Sequence, residues 1–161
     1  MTNVYRDEFV APFGILEIMA DESHLMKLDL LKSEHADRRI NPNPITDRTK
    51  DQLRDYFEGK RMVFDLPILP QGTEYQKKVW QHLLNIPYGE TISYKTLAIW
   101  TGNDKASRAV GHANSKNTIM IVIPCHRVIG KNGELTGYAG GLDVKRWLIE
   151  HEQKFANTKG L

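Results

Sequence analysis

Cysteine is the scarcest reactive residue in this sequence: there is one, Cys125. A lone cysteine closes no disulfide within the chain and supplies no multi-cysteine zinc cage, and it suits a reducing compartment. His24, His35 and His82 show no spacing that suggests a metal either. No apolar run approaches the roughly 18 residues of a membrane span. Met1 to Val10 is mixed and charged, without the apolar core of a signal peptide. Internal repeats and low-complexity stretches are absent as well. These shortages predict a soluble protein without a membrane span or a signal peptide.

What is present fits one good-sized domain or two small ones: 161 residues, 40% hydrophobic and 26% charged. The net charge of +2 hides an asymmetry. Residues 1–70 carry 10 Lys/Arg against 13 Asp/Glu, and residues 71–161 carry 12 against 7. A polyanion would be met by the second half, although composition noise gives the same asymmetry.

The first half reads as a small sheet with a covering helix. Gly14 to Ala20 and Leu25 to Leu31 alternate apolar and polar residues, and Met62, Phe64 and Leu66 make a third alternating set. Thr46 to Glu58 carries a helical stripe of Leu53, Tyr56 and Phe57, stopped by Gly59. Pro67, Pro70, Gln71 and Gly72 mark a boundary. The expectation is therefore α+β: an N-terminal α/β structural domain over 1–70 and a mostly helical domain over 71–161.

In the second half Thr73 is a candidate N-cap for a helix presenting Tyr75, Val79, Trp80, Leu83 and Leu84 on one face. Helices are predicted over Ser93–Trp100 and Lys105–Ser115, joined by a Gly-containing turn. That spacing matches a helix-turn-helix, and equally a helix pair in a bundle. By period, Ala106, Ala109, Val110 and Ala113 face inward on the second helix. Lys105, Arg108, His112 and Ser115 face outward, a basic surface. Asn132-Gly133 reads as a two-residue turn. A last helix begins at Asp143 with Val144, Trp147, Leu148, His151 and Phe155 in register.

Ile119 to Ile123 is a continuous apolar run, predicted to be a buried strand, and it ends in Pro124-Cys125-His126-Arg127. Cysteine attacks as the thiolate, and histidine or arginine close by lowers its pKa. In a straight strand Cys125 and His126 point to opposite faces, so they meet only if the backbone turns or a water bridges them. Pro124 makes a turn plausible. Otherwise Cys125 is a small buried hydrophobe. A histidine base wants a third group to orient it, and Glu152 on the last helix can point inward at a helix edge or sit exposed.

These residues together resemble the O6-alkylguanine-DNA alkyltransferase family. The match covers about Gly72 to Glu152. It runs through Gly72-Thr73, Gln76, Val79-Trp80, Ile86-Pro87-Tyr88-Gly89-Glu90-Thr91, Ser93-Tyr94 and Leu97-Ala98. It continues through Arg108-Ala109-Val110-Gly111, Asn117, Ile123-Pro124-Cys125-His126-Arg127-Val128, Tyr138, Gly140-Gly141-Leu142 and Trp147-Leu148. The first half resembles the family's ribonuclease H-like domain more weakly.

The resemblance implies single-turnover repair: an O6-alkylguanine, or an O4-alkylthymine, is flipped from the duplex and its alkyl group moves to Cys125. Double-stranded DNA carrying the lesion would be the partner of a monomer that needs no cofactor or metal and works in the cytoplasm, or in the nucleus of a eukaryote. His126 would draw the thiol proton through a water, with Glu152 orienting it. Tyr94 would press on the target phosphate and donate to the guanine ring, and Asn117 would be the hinge. Arg108 would fill the space of the flipped base, with Ser93, Tyr94, Lys105, Ala106, Ala109 and Gly111 also at the DNA. Val128, Tyr138, Ala139, Gly140 and Lys145 would form the pocket. The carbonyls of Val128 and Cys125 would take the exocyclic amine, and the Ala139 amide would reach O6. Thr118, Met120 and Ala139 depart from the residues usual in the family.

Three rivals remain. A damage-sensing relative would share the fold but lack the acceptor cysteine. A cysteine hydrolase would ignore DNA. A helix-turn-helix transcription factor would prefer one sequence.

Overall fold

The computed structural model describes residues 3–32, 37–136, 138 and 141–159. The chain divides into two units, Met1–Gln71 and Gly72–Leu161.

In the first unit, β1 (Tyr5–Ala11), β2 (Gly14–Ala20) and β3 (Leu25–Leu30) form an antiparallel sheet in that order. Leu16, Ile18, Ala20 and Leu28 are fully buried with Leu53 and Tyr56 of α1 (Pro44–Phe57). Phe9 stacks on Phe57 with ring centres 5.7 Å apart. Helix α1 begins two residues before Thr46 because Asn43 caps it. The Asn43 side chain accepts from the Thr46 amide at 2.9 Å, the Thr46 hydroxyl accepts from the Asn43 amide, and Pro44 takes the first helical position. On the opposite sheet face Arg6 and Glu17 are charged but buried. Glu17 accepts from Arg6 at 2.6 Å and from Lys27 at 2.8 Å.

Two expectations fail here. Strand β1 was not anticipated. The alternating Met62–Leu66 segment is not a strand: only Ile68 pairs, through one bridge to Leu25. Pro67 and Pro70 lack the amides a longer ladder would need.

In the second unit, α2 (Glu74–Leu83) starts at a capping box between Thr73 and Gln76. It buries Val79, Trp80 and Leu83, whereas Tyr75 and Leu84 are exposed, contrary to the predicted stripe. Gly72 lies under Trp80, whose Cη2 would stand 2.5 Å from an added Cβ. Helices α2 and α3 (Tyr94–Trp100) both pack on α4 (Ser107–Ser115). Trp80 Nε1 donates to the Ala113 carbonyl at 2.9 Å and fixes the end of α4. A short parallel pair joins β4 (Ile92–Ser93) to β5 (Val128–Ile129). Asn132 (φ 66°, ψ 20°) and Gly133 (φ 83°) take the positive φ values of a type I′ turn. Helix α5 (Leu142–Lys159) closes the chain, beginning at Leu142 rather than Asp143. None of the described helices is long and apolar enough to cross a membrane.

The predicted strand over Ile119–Ile123 is absent, although all five residues are buried. The Val122 amide donates to the Met120 carbonyl at 2.8 Å, closing a γ-turn around Ile121 at φ 72°. For a β-branched residue this conformation costs about 1–3 kcal/mol. Cys125 N–H donates to Ile123 across Pro124 (φ −82°, ψ 65°), a second, inverse γ-turn. The Asn117 side chain takes the place of a partner strand. Its amide nitrogen donates to the Ile123 carbonyl at 2.8 Å, and its oxygen accepts from Ile119 N–H at 3.1 Å.

Candidate active site and DNA-facing helices

The double turn delivers Cys125, His126 and Arg127 into one 3-10 turn. In a turn of three residues neighbouring side chains project about 120° apart, not to opposite faces as in a strand. Cys125 is 5% exposed and His126 is fully enclosed. The Cys125 carbonyl accepts from Val128 N–H and from the buried Asn114 side chain of α4 at 3.2 Å. A carbonyl has two lone pairs, and these two donors hold it in place.

His126 Nε2 lies 2.7 Å from Glu152 Oε2. A carboxylate only accepts, so Nε2 carries the proton and Nδ1 is the basic side. Among the described residues Nδ1 has no hydrogen-bond partner. Glu152, 1% exposed, points inward, which resolves the choice that spacing left open. It also accepts from Arg127 Nε at 2.8 Å, Arg127 Nη2 at 3.0 Å and Gly89 N–H at 3.3 Å. Burial alone would raise its pKa, but His126 and Arg127 hold the carboxyl well below the usual carboxylate range. Complete burial pushes the His126 imidazole down despite Glu152 beside it, which favours the neutral ring.

Gly89 holds its place for two reasons. Its φ is +81°, and an added Cβ would stand 2.6 Å from the Ala156 Cβ. Gly89→Ala is expected to lose about 3 kcal/mol, from left-handed strain plus overpacking. Thermal unfolding should show a drop of roughly 6–12 °C.

Lys145 is fully buried, and burial pushes it down to about 8, opposed by its attraction to the Cys125 sulfur. Its Nζ donates to the Thr136 carbonyl at 2.9 Å and lies 5.7 Å from the Tyr94 ring centre and 5.9 Å from that of Tyr138. Tyr94 OH donates to the same carbonyl at 2.9 Å. Val128 is fully buried and Tyr138 half-buried. Ala139 and Gly140 lie outside the described residues.

On the helix pair, Ser93 caps α3 rather than forming part of it, with its side chain accepting from Thr96 N–H at 3.0 Å. Lys105 and Ala106 precede α4, and Ala106 occupies its N-cap position without a side-chain bond. Arg108 and His112 are exposed and Ser115 half-buried. Ala109 is exposed too, which corrects its inward assignment; the buried face is Val110, Ala113 and Asn114. Gly111 faces the Tyr94 ring, where an added Cβ would lie 3.4 Å from Cδ1.

Two partners were not legible in the sequence: Asn114 as donor to the Cys125 carbonyl, and Arg127, read there only as a charge near the thiol, as the partner of Glu152. The signal for Asn114 was a polar residue four positions after Val110, on the apolar face. Arg127 carried no such signal, because its partner lies 25 residues away.

A helix-turn-helix bonded through Asn114 to a buried cysteine, whose neighbouring histidine is held by a glutamate, defines the class: a DNA-facing protein with a reactive sulfur. Residues 74–154 match the DNA binding domain of 6-O-methylguanine DNA methyltransferase, and residues 4–70 match its ribonuclease-like domain. The chain belongs to the 6-O-methylguanine DNA methyltransferase family. It is 45% identical over 155 residues to the methylated-DNA–protein-cysteine methyltransferase of Methanosarcina barkeri, covering 93% of this chain and 98% of that one. The constitutive enzyme of that name from Bacillus subtilis is 43% identical over 150 residues, covering 88% and 91%. The crystal structure of Mycobacterium tuberculosis O6-methylguanine methyltransferase is similar at a TM-score of 0.86 and 42% identity, covering 94% of each chain. That organism's OGT in complex with DNA is similar at 0.82 and 41%, covering 94% of this chain and 93% of that one.

Proposed function

We propose that the chain repairs O6-alkylguanine in double-stranded DNA by flipping the base and moving its alkyl group irreversibly to Cys125. As a member of its family it is a DNA-repair enzyme that transfers methyl groups from DNA to a protein cysteine. The observation that carries the residue assignment is the 2.7 Å His126–Glu152 pair in the turn that begins with Cys125. Residues 71–161 supply both the DNA contact and the acceptor, and residues 1–70 serve a structural role.

A stacked guanine cannot present O6 to a buried sulfur, so the base leaves the helix. Arg108, exposed on α4, fills the space it vacates, while Ser93, Lys105, Ala106, Ala109 and Gly111 lie along the backbone. Phosphate contacts make the binding sequence-tolerant and salt-sensitive. The Cys125 proton passes through a water to His126 Nδ1, and Glu152 stabilises the imidazolium. The thiolate attacks the saturated alkyl carbon; the C–S bond forms and the C–O6 bond breaks. The Tyr94 hydroxyl exchanges the Thr136 carbonyl for guanine N3, where the leaving group's charge develops. Val128, Tyr138, Ala139, Gly140 and Lys145 wall the pocket, and Asn117 is the hinge between α4 and the acceptor turn. O4-alkylthymine, with the same alkyl–oxygen bond, is a second substrate. One sulfur serves one lesion, so a monomer suffices, acting wherever the DNA is held.

Incubation with methylated duplex followed by intact-mass and peptide analysis tests the reading. The protein should gain one methyl group, on Cys125. Unmodified protein bound to persisting damage would make it a sensor instead.

A further inference from the structure

We infer that Arg127 is a positioning residue that keeps His126 neutral, and so able to accept a proton, by satisfying the charge of Glu152. The inference rests on the reading of His126 as the base. Arg127 is 7% exposed and cannot shed its proton. Its guanidinium grips both oxygens of Glu152, Nε to Oε1 at 2.8 Å and Nη2 to Oε2 at 3.0 Å. Its third nitrogen, Nη1, donates to the Ile86 carbonyl at 2.6 Å, and the Tyr88 ring lies 5.8 Å from its central carbon. Each of its three nitrogens thus donates a bond, two to the carboxylate and one to the backbone, which holds the fork against Glu152.

The buried array therefore balances without a further proton: one cation, one anion and a neutral imidazole. Remove the cation and the balance fails. Glu152 keeps its charge among apolar neighbours, 2.7 Å from the imidazole. Neutrality then requires a proton on one of the two, and imidazole is the more basic. An imidazolium has donors on both nitrogens, so Nδ1 no longer accepts anything. The same Glu152 that orients the base would, alone, disable it.

The other groups around His126 do not replace Arg127. On α5, Lys145 lies two turns before Glu152 on the same stripe; its charge also disfavours an imidazolium at His126, but it bonds to Thr136 rather than to Glu152. From the segment after α2, Gly89 offers one amide at 3.3 Å, and Tyr88, pushed up to about 12 by burial, brings no charge. Helix α2, which also packs on the turn, buries only Val79, Trp80 and Leu83. Cys125 on the same turn would add negative charge as a thiolate, which favours the imidazolium further.

The test is ring-15N NMR of histidine-labelled full-length protein, with His126 assigned through His126→Gln. The native protein should show the neutral Nε2–H tautomer at neutral pH; an imidazolium there overturns the inference whether or not any variant folds. In Arg127→Met both ring nitrogens should be protonated. Transfer from free O6-benzylguanine should fall about tenfold or more, with the pH profile moved up by about one unit or more, the size expected when a like charge near the imidazole is removed. Arg127→Lys, which keeps the charge, should restore the neutral ring. A neutral His126 in folded Arg127→Met overturns the inference. An imidazolium there with unchanged transfer supports it and instead removes His126 as the base.

Discussion

Cys125→Ala should bind alkylated duplex as the native protein does and take up no alkyl group at all. The substitution removes one sulfur from a residue 5% exposed, a packing loss of about 1 kcal/mol that leaves the backbone of the turn in place. The bonds that shape the turn are made by the backbone and by neighbours: Asn114 to the Cys125 carbonyl, Arg127 N–H to Pro124, and the His126–Glu152 pair. None depends on sulfur. Arg108, Ala109 and His112 lie on the exposed face of α4 and are untouched. Gel shift with methylated duplex should therefore match the native protein to within about 1 kcal/mol, the order of one buried heavy-atom contact with the flipped base. Intact mass should remain unchanged after prolonged incubation. A methyl group appearing elsewhere on the variant would move the acceptor. Lost binding would mean that the sulfur holds the base as well as attacking it.

Strands β2 and β3 were legible because their apolar residues alternate against one packed face. Strand β1 was not, since both of its faces carry charge. Asp7 turns toward Lys50 of α1 at 3.3 Å, while Arg6 and Glu8 pair with each other at 2.7 Å on the other side. Alternation of charge with charge has no hydrophobic signal. The run Ile119–Ile123 misled in the opposite way. Its composition and burial suit a strand, but its conformation is decided by Asn117, whose side-chain amide outcompetes a ladder for the same backbone groups.

At the site, the Cys-His-Arg sequence announced reactive chemistry but not its wiring. Glu152 and Lys145 lie seven residues apart on α5 with Leu148 between them, a helical stripe hidden by the expectation that charged residues face water. Each is buried because it has partners outside its own helix: His126, Arg127 and Gly89 for Glu152, and Thr136 for Lys145. Such pairings, made across 9 to 63 residues of sequence, leave no trace in local periodicity.

Arg108→Ala separates getting the base out from reacting with it. Arg108 is exposed in the first turn of α4, and among the described residues its side chain makes no ion pair or hydrogen bond within the protein. It is therefore available to DNA without first breaking anything. Ala109 beside it is small and exposed, which lets the helix backbone come close to a groove. Flipping a guanine costs a few kcal/mol of stacking and pairing, and a side chain filling the gap recovers part of it. If Arg108 recovers about 3 kcal/mol, its loss slows repair in duplex DNA by roughly 100-fold. Free O6-benzylguanine has no stack to leave, so its reaction should change by less than about twofold, within the ordinary effect of a surface substitution. Single-turnover rates on both substrates, measured at one salt concentration, decide the matter. Equal losses on the two would place Arg108 in the chemistry rather than in the duplex. Equal retention would leave the flipped base without a wedge from α4, and the energy of extrusion would have to come from the pocket alone.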